Sequence, residues 1–205
     1  RETIMSLEAF YERLHFQAGE ETAENAIKNA IQAMYTTNKG RELIEDFLNS
    51  DKHIVFDNNF GGKNEVVELE INGTMIPVFR YDYKEISEMS FITSSGKIIP
   101  FTETNVFIHE LVHALTGQSD NSSENYTTPG WDYVGPTVRD EQIIESELGV
   151  EFRQSYEAVI ANTEFASLGF YSGDSLTEGK EVGLVISDIS DSANNEMNLS
   201  DRTDD

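Results

Sequence analysis

The 205-residue chain has no cysteine. Disulfides, zinc–thiolate sites, iron–sulfur clusters and cysteine nucleophiles are therefore excluded. Basic residues are scarce: 14 Lys and Arg stand against 38 Asp and Glu, a formal net charge of −24. A surface this acidic repels phosphate backbones and anionic lipid headgroups, which argues against nucleic acid and membrane surfaces as partners. It favours a basic partner or a basic segment of a substrate, although charge of this size also serves solubility alone. No apolar run approaches the roughly 20 residues of a membrane span. The N-terminal stretch from Arg1 to Phe16 lacks the basic-then-apolar pattern of a signal peptide. Tryptophan occurs once and proline four times, and no internal repeat is present. At 38% apolar residues it is rich enough to build a core.

The expected fold class is α+β. Leu7, Phe10, Tyr11 and Leu14 recur at helical spacing, as do Ala23, Ala26, Ile27, Ala30, Ile31 and Met34, and then Leu43, Ile44, Phe47 and Leu48. Gly19 and Lys39-Gly40 separate the three segments. From His53 to Phe101 the texture becomes β-branched and aromatic. Asn72-Gly73 predicts a tight hairpin between Val66–Ile71 and Met75–Tyr81, and a second pair is expected at Met89–Thr93 and Lys97–Phe101. The expectation is a small, mostly antiparallel sheet. A helix is predicted over Glu103–Thr116, capped by Thr102 and ended by Gly117. Residues 118–137 read as a long loop in which Tyr126, Trp131 and Tyr133 either line a cleft or anchor the loop. A further helix is expected from Val138 to about Tyr156 or beyond. The domain expectation is a single unit over 1–186, with 1–50 helical, 51–101 β-rich and 102–160 carrying active-site helices. Residues 187–205 read as an acidic, disordered tail.

Chemistry is concentrated in His109-Glu110-Leu111-Val112-His113. Two histidines four apart lie one turn apart on one helix face, so both imidazoles can reach a single Zn²⁺. Glu110 points about 100° round the helix, where its carboxylate can take a proton from a water activated by the metal and pass it to a leaving amine. With 4 His and 25 Glu in 205 residues, chance supplies about 0.01 such motifs. Val106, Phe107, Ile108, Leu111, Val112, Ala114 and Leu115 make the helix apolar nearly all round and hence buried. Buried histidines and a glutamate are costly unless satisfied. A metal satisfies them; the plainer alternative is histidines bonded to backbone carbonyls.

A catalytic zinc takes three protein ligands. Thr116 and Ser119 stand where Gly and a third His would complete one common zinc motif, and no further His follows, so the third ligand is expected to be a carboxylate. Glu141 is the favoured candidate. Glu145, on the same helix face, is either the alternative ligand or the residue that orients a ligand histidine. Arg153 and Tyr156 share a face if that helix continues, and either can stabilise the oxyanion of amide hydrolysis; the plainer alternative is a surface Arg and a half-buried Tyr.

The stretch FIHELVHALTG resembles the M91 family of zincin metallopeptidases, bacterial effectors delivered into host cells by secretion machines. The segment DEQIIESELGVEFRQSY resembles that family's downstream pattern: a Glu opening a helix, an acidic-Leu-Gly turn, then Arg and Tyr. On this resemblance Glu141 falls on the family's Glu and Glu147-Leu148-Gly149 on the turn. Gln142 stands where Asn is expected and Glu145 where a basic residue is expected. The Arg153/Tyr156 spacing also resembles that of clostridial neurotoxin light chains, whose sites are His₂Glu. The resemblance covers about residues 97–156. It implies a zincin-like fold, one Zn²⁺ per chain, and an endopeptidase secreted or translocated to act on a protein of a target cell. The competing expectations are a non-catalytic acidic interaction module and a zinc hydrolase of a non-peptide bond.

Overall fold

The computed structural model describes residues 2–58, 63–120 and 133–163. Tyr126, Trp131 and the expected tail at 187–205 lie outside them. The observed class is α+β, with six helices and two small sheets among the described residues. No helix there is long and apolar enough to cross a membrane.

Three helices come first: α1 (Glu2–Tyr11), α2 (Glu21–Tyr35) and α3 (Asn38–Leu48). Leu14 is not helical as its spacing suggested; with His15 it forms the two-residue strand β1. The break between α2 and α3 falls at Thr36-Thr37, where the Thr37 side chain accepts from Gly40 N. Lys39 and Gly40 are therefore inside α3 rather than between helices. Gly40 is needed for close approach, since a Cβ there would lie 2.1 Å from Met34 O.

The β region differs from expectation in topology. β2 (Ile54–Asn58), β3 (Glu65–Ile71) and β4 (Thr74–Tyr81) join β1 in a sheet of order β1-β2-β4-β3. The hairpin at Asn72-Gly73 is present, both residues having positive φ (52° and 78°), as a primed turn requires. However, β4 inserts between β2 and β3, so β1–β2 and β2–β4 are parallel and the sheet is mixed. Burial accompanies this order: Val78, Phe79 and Tyr81 are buried on β4, an interior strand. A short helix, α4 (Tyr83–Glu88), capped by Asp82, follows. A second, antiparallel sheet has the order β6-β5-β7, from β5 (Met89–Ile92), β6 (Ile98–Pro100) and β7 (Val159–Ala161). The residues of β7 lie in the region expected to be helical.

α5 (Glu103–Thr116) occupies the predicted range. Thr102 and Asn105 form a capping box, and Gly117 closes the helix at φ 69°. It packs against α2, α3 and α6 and against the β3–β4 hairpin. Phe107 meets the Phe79 ring edge-on at 5.9 Å. α6 (Pro136–Leu148) ends at Gly149, φ 71°, rather than running to Tyr156. Arg153 and Tyr156 thus do not share a helix face.

Candidate metal centre

α5 and α6 run antiparallel, and their facing side chains meet at three levels. Asn105 Nδ2 donates to Glu145 Oε1 at 2.8 Å. His109 Nδ1 lies 3.0 Å from Glu141 Oε2. His113 Nδ1 lies 3.4 Å from Thr137 Oγ1. Each level is four residues from the next on both helices, which keeps all six side chains on the facing stripes.

The opposite edges of the two imidazoles converge. His109 Nε2 and His113 Nε2 are 3.1 Å apart, and Asp120 Oδ1 lies 3.2 Å from the first and 3.1 Å from the second. These are the described His, Cys, Asp and Glu residues grouped closely enough to share a metal ion. Tetrahedral zinc with bonds of about 2.0–2.1 Å keeps its ligand atoms about 3.3 Å apart, so the triangle is of the right size. The donor chemistry agrees. His113 Nδ1 faces Gln118 O at 2.7 Å, an atom that can only accept. Glu141 likewise offers an acceptor to His109 Nδ1. With protons on both Nδ1 atoms, both Nε2 atoms carry lone pairs. Two lone pairs and a carboxylate then face one another, close enough to share one metal ion.

Sequence reasoning passed over Asp120, the first acidic residue after the motif and seven positions beyond His113. Its backbone is fastened from several sides. Thr116 Oγ1 accepts from Gln118 N at 3.1 Å, Thr137 Oγ1 donates to Ser119 O at 3.1 Å, and Tyr133 OH donates to Asp120 O at 3.4 Å. Gly135, at φ 79° and ψ 164°, lets the chain pass so close that a Cβ would lie 2.3 Å from Asp120 O. Gly135→Ala is accordingly expected to lower stability by about 1–3 kcal/mol through backbone strain, and to weaken metal binding by displacing Asp120. Thermal melting and zinc titration of the variant check this. Undiminished zinc affinity would mean that Asp120 is not held through this contact.

Glu141, expected as the third ligand, sits elsewhere. Its Oε2 is behind the His109 ring, on the Nδ1 side, where it also accepts from Arg153 Nε and Nη2 at 3.3 and 3.2 Å. That is an orienting position, and the carboxylate that groups with both Nε2 atoms among the described residues is that of Asp120. Glu145 is no ligand in this geometry either; it is fully buried and bonded to Asn105. Arg153 and Tyr156 are both buried, with the guanidinium 5.7 Å from the centre of the Tyr156 ring. Arg153 Nη2 also lies 2.6 Å from His109 Nδ1. A guanidinium only donates, so when Nδ1 carries the proton both groups turn to the shared acceptor, Glu141 Oε2. Glu110, one residue along from His109, is buried as expected.

Charges in the centre perturb one another. Burial pushes the Asp120 carboxyl up, but His113 and His109 outweigh it and hold it well below the usual carboxylate range. Burial likewise opposes ionisation of Glu141, and Arg153 and His109 bring it below its ordinary value. Burial disfavours the His109 imidazolium, yet Asp120 and Glu141 leave its pKa raised. Glu145, without such a cation in contact, is pushed up to about 9 by burial and by Glu141, so it is a neutral acid at pH 7.

No protein-family model matches the chain, and no curated protein matches it. Among solved structures it is similar to the crystal structure of the Salmonella zinc metalloprotease effector GtgA. The likeness spans 66% of this chain and 70% of that one, at 21% identity and a TM-score of 0.49.

Proposed function

We propose that this chain is a zinc-dependent endopeptidase, with His109, His113 and Asp120 holding one Zn²⁺ and Glu110 carrying the proton. The observation that supports it is the convergence of two Nε2 atoms and one carboxylate oxygen within 3.1–3.2 Å of one another, beside a glutamate that follows the first histidine on the same helix. Zinc in such a site supplies a Lewis acid that acidifies water and polarises a carbonyl.

The chain's own residues carry the rest. His109 and His113 are held with their Nδ1 atoms engaged, so their lone pairs face the site. Glu110 accepts the proton lost by the attacking water as the C–O bond forms. It then delivers that proton to the amine nitrogen as the C–N bond breaks, and so returns to its starting state. The resemblance of residues 97–156 to effector zincins supports a protein substrate in a target cell, with the chain secreted or translocated. The net charge of −24 supports a preference for a basic substrate segment.

The test is metal analysis with peptidase assay. The purified chain is expected to retain one zinc, to lose it and its proteolysis of an unfolded, lysine-rich protein to a chelator, and to recover both when zinc returns. A chain that binds no zinc at micromolar concentration, and melts identically with and without chelator, would end the proposal.

A further inference from the structure

We propose that Arg153 is a positioning residue for the metal centre: it fixes the Glu141 carboxylate against His109 Nδ1 and so commits His109 Nε2 to the cation. The inference rests on the zinc reading above.

Arg153 lies in the segment after α6 and is 6% exposed. Two of its N–H groups, Nε and Nη2, reach one oxygen of Glu141. Nη1 donates to Tyr156 O at 3.4 Å. The segment itself is tied to its surroundings. Gln142 Nε2 donates to Arg153 O at 2.8 Å and to Gln154 O at 3.1 Å, so the residue next to Glu141 on α6 anchors the backbone of Arg153. Gln154 N donates to Ile92 O at the end of β5, and Tyr156 N donates to Tyr133 O. Arg153 is thus located by α6, by the second sheet and by the segment that leads into α6.

These ties leave the guanidinium on the Nδ1 side of the His109 ring, opposite the atoms that face His113 and Asp120. Its Nη2 lies 2.6 Å from His109 Nδ1; a guanidinium only donates, so once Nδ1 carries the proton it acts through the shared acceptor, Glu141. Its rigid fork of donors holds Oε2 in place as an acceptor. An acceptor at Nδ1 draws the imidazole proton to that nitrogen, and the lone pair is left on Nε2. In the absence of the fork the carboxylate loses two of the three donors around Oε2, and with them the geometry that sets the His109 tautomer and ring angle.

The test is zinc affinity, measured by competition with a chromogenic chelator, for the wild type, Arg153→Gln, Glu141→Gln and the double variant. Arg153→Gln is expected to weaken zinc binding by about 10–100-fold, the range for loss of an outer hydrogen-bond partner. In the Glu141→Gln background the same change is expected to cost little, because the two residues act in series. The visible spectrum of the cobalt-substituted protein is expected to shift alike in both single variants, as a purely structural role would not require. Wild-type zinc affinity in Arg153→Gln, or losses that add in the double variant, would overturn the inference. Should Arg153→Gln fail to fold because Glu141 is left buried and without its cation, the comparison of Glu141→Gln with and without Arg153 decides: equal zinc affinity supports action through Glu141, and a further tenfold loss refutes it. A wild-type chain that takes up no zinc defeats the zinc reading itself, whereas a zinc-binding wild type matched by its Arg153 variants defeats only this inference.

Discussion

Glu110→Gln is expected to lower kcat by about 10²–10⁴-fold, the usual contribution of a positioned acid–base group, while leaving zinc bound one per chain. The amide has the size and shape of the carboxylate but cannot take up a proton from water. Glu110 is not among the atoms that converge on the site, which are His109 Nε2, His113 Nε2 and Asp120 Oδ1, so the metal loses no ligand. KM should change little, because the interaction lost is one made in the transition state. Kinetics on an unfolded protein substrate, with zinc content measured on the same preparation, decide the matter. Retention of more than a tenth of the activity would show that Glu110 is not the proton carrier. Loss of zinc would show that it is a ligand instead.

Asp120→Ala is expected to lose zinc more severely than Glu141→Gln. Removing Asp120 takes away one of three donors and leaves two imidazoles. Changing Glu141 removes only an acceptor behind one imidazole, a loss worth roughly 10–100-fold in metal affinity. Zinc titration of both variants against wild type gives the order directly. The reverse order would restore Glu141 as the ligand and relegate Asp120 to an outer role. The metal-free proteins add a second check. Asp120→Ala is expected to carry little zinc to begin with, so chelator removes little binding stabilisation from it. Its melting temperature is therefore expected to depend less on chelator than that of the wild type.

Several elements were legible in the sequence because their causes are local. Thr102, Asn105 and Gly117 bracket α5, and the structure puts the helix between them. Asn72-Gly73 supports a hairpin because both residues tolerate positive φ. Other elements were misjudged where distant contacts overrode local texture. Leu14 continues a helical spacing yet pairs with Ile54 in a parallel ladder. The residues of β7 lie where the expected helix continues yet pair with β5. Gly40 looks like a break between helices yet sits in α3 beneath Met34 O, because two helices cross there too tightly for a side chain.

The same division runs through the candidate centre. By itself the sequence determined that His109 and His113 share a helix face with Glu110 beside them, because the helical period alone decides it. It determined, through the missing cysteines, that only imidazole and carboxylate were available as strong zinc ligands. It also placed Glu141 and Glu145 on one stripe of a second helix. Which carboxylate faces the paired Nε2 atoms follows from packing alone. Glu141 approaches His109 from the Nδ1 side because α6 packs antiparallel to α5 there, and Arg153 holds it in that place. Asp120 reaches the other side because Gly117 turns the chain and Gly135, Thr137 and Tyr133 receive it. Spacing along a chain tells which groups share a helix face; the direction from which a loop or a second helix brings its side chain depends on packing between residues far apart in sequence.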